Sequence, residues 1–189
     1  MTESWRCFVA VPIGDSLRRD LAAAVEGWRV RPDLTGLRWT DPAGWHVTLA
    51  FLGAVDPSRV DELGTAVRAV AAASRPAVLR TGDVGGFPSS RRARVAWYGI
   101  HDADRHLAEI AGRLGTGLGL DASAPLRPHL TLARAKADPI DLSAWRQEAG
   151  APAGILEVTG IELLRSHLGR GPARYEIISS TPFGAPAHV

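Results

Sequence analysis

One tetrapeptide occurs twice in the chain, as His46-Val47-Thr48-Leu49 and as His129-Leu130-Thr131-Leu132. Both copies lie in apolar, β-favouring stretches, WHVTLAFL from Trp45 to Leu52 and HLTLA from His129 to Ala133. Side chains of an extended strand alternate between faces, so the His and Thr of each copy share one face. Val47, Leu49 and Phe51 then take the other face, as do Leu130 and Leu132. Each copy sets an imidazole beside a hydroxyl, with a hydrophobic anchor behind them. With 6 His, 10 Thr and 20 Leu in 189 residues, His-x-Thr-Leu is expected by chance about 0.03 times, and twice on the order of once in a thousand such chains.

The copies begin at residues 46 and 129, a separation of 83 that is close to half the chain. Each is preceded by a strand and a helix. Trp5 to Val11 reads as strand, and Leu17, Leu21, Val25 and Trp28 fall at helical spacing before the first copy. Val95 to Ile100 reads as strand, and Asp102 or Asp104 caps a helix carrying Leu107, Ile110, Leu114 and Leu118 before the second. This repeated order predicts a duplicated α+β unit, with a pseudo-twofold arrangement bringing the two His-Thr pairs face to face across a cleft. Between the units, Asp56-Pro57 opens a helix through about Ala73, and Ala77 to Val84 is a strand that leads into a loop from Gly85 to Ser90. Later, Leu142 to Glu148 is a short helix. Ile155 to Arg165 and Arg174 to Ser180 are strands joined by the turn Gly169-Arg170-Gly171-Pro172, and a loose tail starts at Pro182.

A hydrophobic content of 46% and a charged content of 22% suit an ordinary globular chain with a core of its own. No apolar run reaches the roughly 20 residues of a membrane span, and the opening MTESWRCFVAVP lacks the apolar core of a secretory signal. The lone Cys7 has no partner for an internal disulfide and sits in the first strand, where a buried structural thiol is expected. These features predict a cytoplasmic monomer that does not engage membranes. A net charge of +2 excludes a strongly basic tail-type nucleic-acid binder. The bases are 21 Arg and the single Lys136, which suits bidentate phosphate contacts and equally a GC-rich coding sequence.

Two facing imidazoles with no nucleophile between them suit general acid–base catalysis, one taking a proton from water while the other gives one to a leaving oxygen. The two hydroxyls suit the oxygens of a bound anion. A strained cyclic phosphodiester uses both features best. Two His make a poor zinc site, C-x-x-C and H-E-x-x-H are absent, and the carboxylates do not cluster near either motif, so neither a metal nor another cofactor is expected. Arg127 shares the face of His129 if the strand extends back through Pro128, whereas Arg134 faces away unless the strand twists or ends; each binds phosphate or is a solvated charge. Ser90-Arg91-Arg92-Ala93-Arg94 reads as a solvated loop or an RNA contact. Phe8, Trp39 and Trp45 stack on a base or pack in the core. His101 and His106 are expected at an exposed helix start.

At these residues the sequence resembles the two-histidine phosphoesterase superfamily, and within it the RNA 2′,3′-cyclic phosphodiesterases of the 2′-5′ RNA ligase family. The similarity runs through Arg6-Cys7-Phe8-Val9-Ala10, Leu37-Arg38-Trp39-Thr40, His46 to Gly53, Gly86-Phe87-Pro88, Val95 to Gly99, Arg127 to Arg134 and Leu163-Leu164-Arg165-Ser166. Neither motif departs from the family pattern, and Gly44 and Trp45 before the first His are less typical of it. The resemblance implies a bilobal α+β domain over residues 1–189. It has two antiparallel sheets in pseudo-twofold symmetry, a central cleft and helices outside. It also implies metal-independent opening of an RNA 2′,3′-cyclic phosphate to a 2′-phosphomonoester, with reversible ATP-independent 2′-5′ joining as a secondary activity. Carried over, His46 is the proton donor, His129 the proton acceptor, and Thr48 and Thr131 hold the phosphate. The partner is then an RNA or nucleotide ending in a 2′,3′-cyclic phosphate. The alternatives are a small cyclic phosphate such as an ADP-ribose derivative, and an RNA-end binding module without turnover, against which both complete motifs count.

Overall fold

The alternating and helical patterns resolve into nine strands and four α-helices in the computed structural model, which describes residues 4–120, 125–167 and 173–184. In chain order these are β1 (Trp5–Pro12), α1 (Asp15–Arg29), β2 (Leu37–Trp39), β3 (His46–Val55), α2 (Val60–Ala72), β4 (Ala77–Phe87) and β5 (Val95–His101). There follow α3 (His106–Leu118), β6 (His129–Ala135), α4 (Ser143–Glu148), β7 (Gly154–Val158), β8 (Gly160–His167) and β9 (Arg174–Pro182). The sheet order is β7-β4-β5-β6-β3-β1-β8-β9, with β2 also on β6, and every pairing is antiparallel.

Each motif strand heads a run of four, β3-β1-β8-β9 on one side and β6-β5-β4-β7 on the other. The connections β1-α1-β3 and β5-α3-β6 match, as the duplicated order predicts. The two expected sheets meet edge to edge through one residue pair, Val47 opposite Leu130, and so run on as one curled α+β sheet. Both residues are fully buried.

The helices cover the core face. α1 buries Leu17, Leu21, Val25 and Trp28, the four positions its spacing singles out. α3 buries Leu107, Ile110 and Leu114, and its first turn is held by Asp102, whose carboxylate accepts from the amides of Leu107 (3.1 Å) and Ala108 (3.0 Å). Asp56-Pro57 starts a 3₁₀ turn over Pro57–Arg59, and the α-helix proper begins only at Val60. Cys7 is buried, and burial pushes its thiol pKa up against the opposing charge of Arg165. Among the described residues no helix is long and apolar enough to cross a membrane.

Four details differ from the sequence reading. Gly85 to Phe87 continue β4 instead of forming a loop, because Trp97 lies across Gly85 and Ala93 against Gly86, where only glycine leaves room. The run Ile155 to Arg165 breaks at Thr159 into β7 and β8, which sit in opposite halves of the sheet. Gly160 marks the break, since a Cβ there would lie 2.6 Å from the Thr181 carbonyl. Pro182 closes β9, and the buried Phe183 donates its amide to Thr159 O at 2.9 Å, so the tail is anchored at least this far. His106 is half-buried at the start of α3 rather than exposed. The expected turn at 169–172 lies outside the described residues.

Candidate active site

The Val47–Leu130 rung sets the geometry of the site. In an antiparallel register it places His46 across from Thr131 and Thr48 across from His129. Val47 and Leu130 point into the core, so the four flanking side chains share the open face. The result is a rectangle with imidazoles on one diagonal and hydroxyls on the other, all four half-buried.

Both imidazoles are oriented in the same way. His46 Nδ1 donates to Gly44 O at 2.8 Å and His129 Nδ1 donates to Arg127 O at 2.6 Å. A carbonyl only accepts, so Nδ1 carries the proton in both rings and Nε2 is left to exchange one with a substrate. The local sequence supplies those carbonyls. Asp41 Oδ1 accepts from the Ala43 amide at 2.9 Å and closes the 3₁₀ turn Pro42–Gly44, which ends with Gly44 O beneath His46. Arg18 of α1 ties the turn down through the Pro42 and Ile13 carbonyls. On the other side Pro128 O accepts from the Ile100 amide of β5, so the Arg127-Pro128 segment follows the sheet into β6.

Aromatic rings hold the imidazoles in place. Phe8 lies 4.8 Å from the His46 ring and Tyr175 meets it edge-on at 5.0 Å. A Cβ on Gly44 would come within 3.2 Å of Tyr175, so a glycine at this position leaves room for the ring. Phe87 meets His129 edge-on at 4.9 Å and packs on Trp97 at 5.5 Å, with the Arg127 guanidinium 5.8 Å above it.

Burial lowers the pKa of both imidazoles below the ordinary histidine value. For His46 the Gly44 hydrogen bond opposes this, and the charge of His129 lowers it further. For His129 the Arg127 hydrogen bond opposes, and the charge of Arg134 lowers. Among the described residues no three of His, Cys, Asp and Glu come together to hold a metal ion.

The remaining sequence candidates divide. Arg134 reaches the open face, against its strict parity. Thr131 faces Trp97 and Ala133 faces Ala96, so Leu132 is an extra residue in β6, and this bulge returns Arg134 to the face of Thr131. Arg127 is exposed beside Phe87 at the other end of the site. Phe8 is only 4% exposed and backs the His46 imidazole, leaving no open face for a base. Trp39 is not brought to the histidines: it packs with Trp28 and Trp145 at 6.5 Å each, on the core side. Trp45 is buried as well. In the basic loop Arg91 and Arg92 are exposed in a 3₁₀ turn, and Arg94 bonds Ala137 O at 3.2 Å. Sequence patterning does not single out Thr40, Phe87 or Tyr175, because each acts through a partner far away in the chain.

Two mirrored strands thus each present a histidine and a threonine to one open face, an arrangement suited to acid–base chemistry on a bound anion. The pattern of the LigT like phosphoesterase family matches residues 11–97. An RNA 2′,3′-cyclic phosphodiesterase of Geobacillus stearothermophilus is 30% identical over 196 aligned residues, covering 95% of this chain and 58% of that protein, so the chain spans less than two thirds of that relative. The RNA 2′,3′-cyclic phosphodiesterase of Bacillus subtilis strain 168 is 27% identical over 186 residues, covering 90% and 92%. The crystal structure of TT0787 of Thermus thermophilus matches with a TM-score of 0.76 at 25% identity, covering 97% of this chain and all of that one. By pattern, sequence and fold the chain is similar to the LigT-like phosphoesterases, the two-histidine group that its paired motifs resemble.

Proposed function

We propose that the chain hydrolyses the 2′,3′-cyclic phosphate at an RNA end to a 2′-phosphomonoester, without a metal ion. The observation that carries this reading is the crossed His-Thr rectangle, whose two Nε2 atoms are both free for proton transfer. The cyclic phosphate sits between the diagonals, its non-bridging oxygens on Thr48 and Thr131. His129 Nε2 takes a proton from water as the water oxygen bonds to phosphorus. His46 Nε2 gives its proton to the departing 3′ oxygen as the P–O3′ bond breaks, and the phosphate stays on O2′.

The electrostatics support this division of roles. The Arg134 charge disfavours a proton on His129. The same steps with an RNA 5′-hydroxyl in place of water form a 2′-5′ linkage without ATP, as a secondary reaction. The name carried by the Geobacillus and Bacillus relatives supports the substrate class.

The test follows an RNA oligonucleotide with a 2′,3′-cyclic phosphate end by phosphorus NMR, with EDTA present. Conversion to a 2′-phosphate that His129→Ala abolishes is the expected result. A 3′-phosphate product reverses the leaving group, and loss of activity in EDTA overturns the metal-free chemistry.

A further inference from the structure

Beyond the reacting phosphate, the open face carries a second cationic feature. The bulge that turns Arg134 toward the cleft also aligns β6 with β2, where Arg38 lies directly opposite Arg134. Leu37 and Trp39 on either side of Arg38 pack into the core, so Arg38 points the same way as Arg134. Two like charges directly opposite on neighbouring strands repel, and such a pair is disfavoured unless something anionic lies between them. Both side chains are exposed, and among the described residues neither has a hydrogen bond or an ion pair.

The placement is specific to one half. The first motif strand has the same bulge after its Thr, since Thr48 faces Ala10 and Ala50 faces Val9. There the residue turned outward is Phe51, which is 76% exposed. The pair of arginines therefore does not follow from the motif alone. Along β6 the order on the open face is His129, Thr131, Arg134, so the arginines stand just past the hydroxyl that faces the reacting phosphate. The charge of Arg134 is felt at His129 itself.

We propose that Arg38 and Arg134 form a second anion subsite, which holds the phosphodiester joining the terminal nucleotide to the rest of an RNA chain. The subsite rests on the hydrolase reading above and sharpens it: the enzyme selects the end of an oligonucleotide over a free nucleoside 2′,3′-cyclic phosphate, which has no second phosphate. The paired guanidinium forks suit the two free oxygens of a phosphodiester.

The experiment compares kcat/KM for a nucleoside 2′,3′-cyclic phosphate with that for a pentanucleotide bearing the same end, in the wild type, Arg38→Ala and Arg38→Lys. Arg38→Ala lowers the oligonucleotide-to-mononucleotide ratio by about 10-fold, and Arg38→Lys by less, because it keeps the charge and loses the fork. Binding of the 2′-phosphate-ended pentanucleotide is measured alongside as a function of salt. Arg38→Ala reduces the slope of log K against log salt by about 0.7, the loss of one phosphate contact on a single strand. A ratio within twofold of wild type together with an unchanged slope overturns the subsite. Equal losses on both substrates overturn it as well, since Arg38 then serves the reacting phosphate or a small cyclic ligand. A changed slope with no turnover of either substrate keeps the subsite and removes the hydrolase.

Discussion

The indole Nε1 of Trp45 donates to Thr40 Oγ1 at 2.8 Å, and that hydroxyl in turn lies 2.9 Å from the carbonyls of Thr131 and Leu132. One hydroxyl thus links the residue before His46 to the backbone of the second motif at its bulge. Trp45 is 3% exposed, so its N–H has no water to fall back on. We predict that Thr40→Val, which keeps the shape and removes the hydroxyl, costs about 1–3 kcal/mol of stability and lowers kcat. Trp45→Phe in the same background restores part of the stability, because it removes the stranded donor. Urea denaturation of both single variants and the double variant checks this; strictly additive losses would show that the link carries no coupling.

His46→Ala and His129→Ala each lower kcat/KM for the cyclic phosphate by ~10²–10⁴, the range for a general acid or base. Both imidazoles are half-buried at the start of their strands and each makes a single hydrogen bond, to a local carbonyl, so circular dichroism and the melting temperature stay close to wild type. Near-normal turnover in either folded variant removes that histidine from the chemistry.

The pH profile follows from the direction of the two shifts. The proposed reaction needs the form with one imidazole protonated and one neutral, and both pKa values lie below the ordinary ~6.5. Above the higher value this form declines tenfold per pH unit, and below the lower value both rings are charged. The kcat/KM profile is therefore a bell whose alkaline limb falls on the acid side of about pH 6.5. Stability has its own sign. Between the folded pKa values and the unfolded ~6.5 the unfolded chain binds more protons, so the contribution of the neutral histidines is complete above that window and is lost as pH falls through it. An alkaline limb centred well above neutral pH contradicts the lowered values.

What the sequence made legible is what local periodicity encodes. The duplicated His-x-Thr-Leu strands, the apolar stripe of α1 and the matched strand–helix–strand order all follow from spacing within one element. What stayed hidden depends on pairing between distant strands. Arg134 faces the cleft only because β6 carries one residue more than β5 across the Ala96/Trp97 step, and nothing in HLTLAR announces that bulge. Trp39 reads as a stacking ring until Trp28 of α1 and the distant Trp145 of α4 close around it. The break at Thr159 is equally silent, because β7 and β8 follow one another as a single apolar, strand-like run and only the close approach of Gly160 to Thr181 marks where they part.

Gly85 lies directly across from Trp97 in the β4–β5 pair, and a Cβ there would sit 2.3 Å from the indole Cζ2. The indole cannot yield freely, because its ring packs on Phe87, which braces His129. We predict that Gly85→Ala pushes Trp97 aside and costs about 1–3 kcal/mol through overpacking. It also loosens the Phe87 support, so kcat falls further than the small change in folded fraction explains. A paired Gly85→Ala/Trp97→Leu variant relieves the clash and recovers most of the stability, but not the activity, since Phe87 has then lost its aromatic partner. Chemical denaturation and kcat measured side by side separate the two effects. Full recovery of kcat in the paired variant would show that Trp97 supports the fold and not the position of His129.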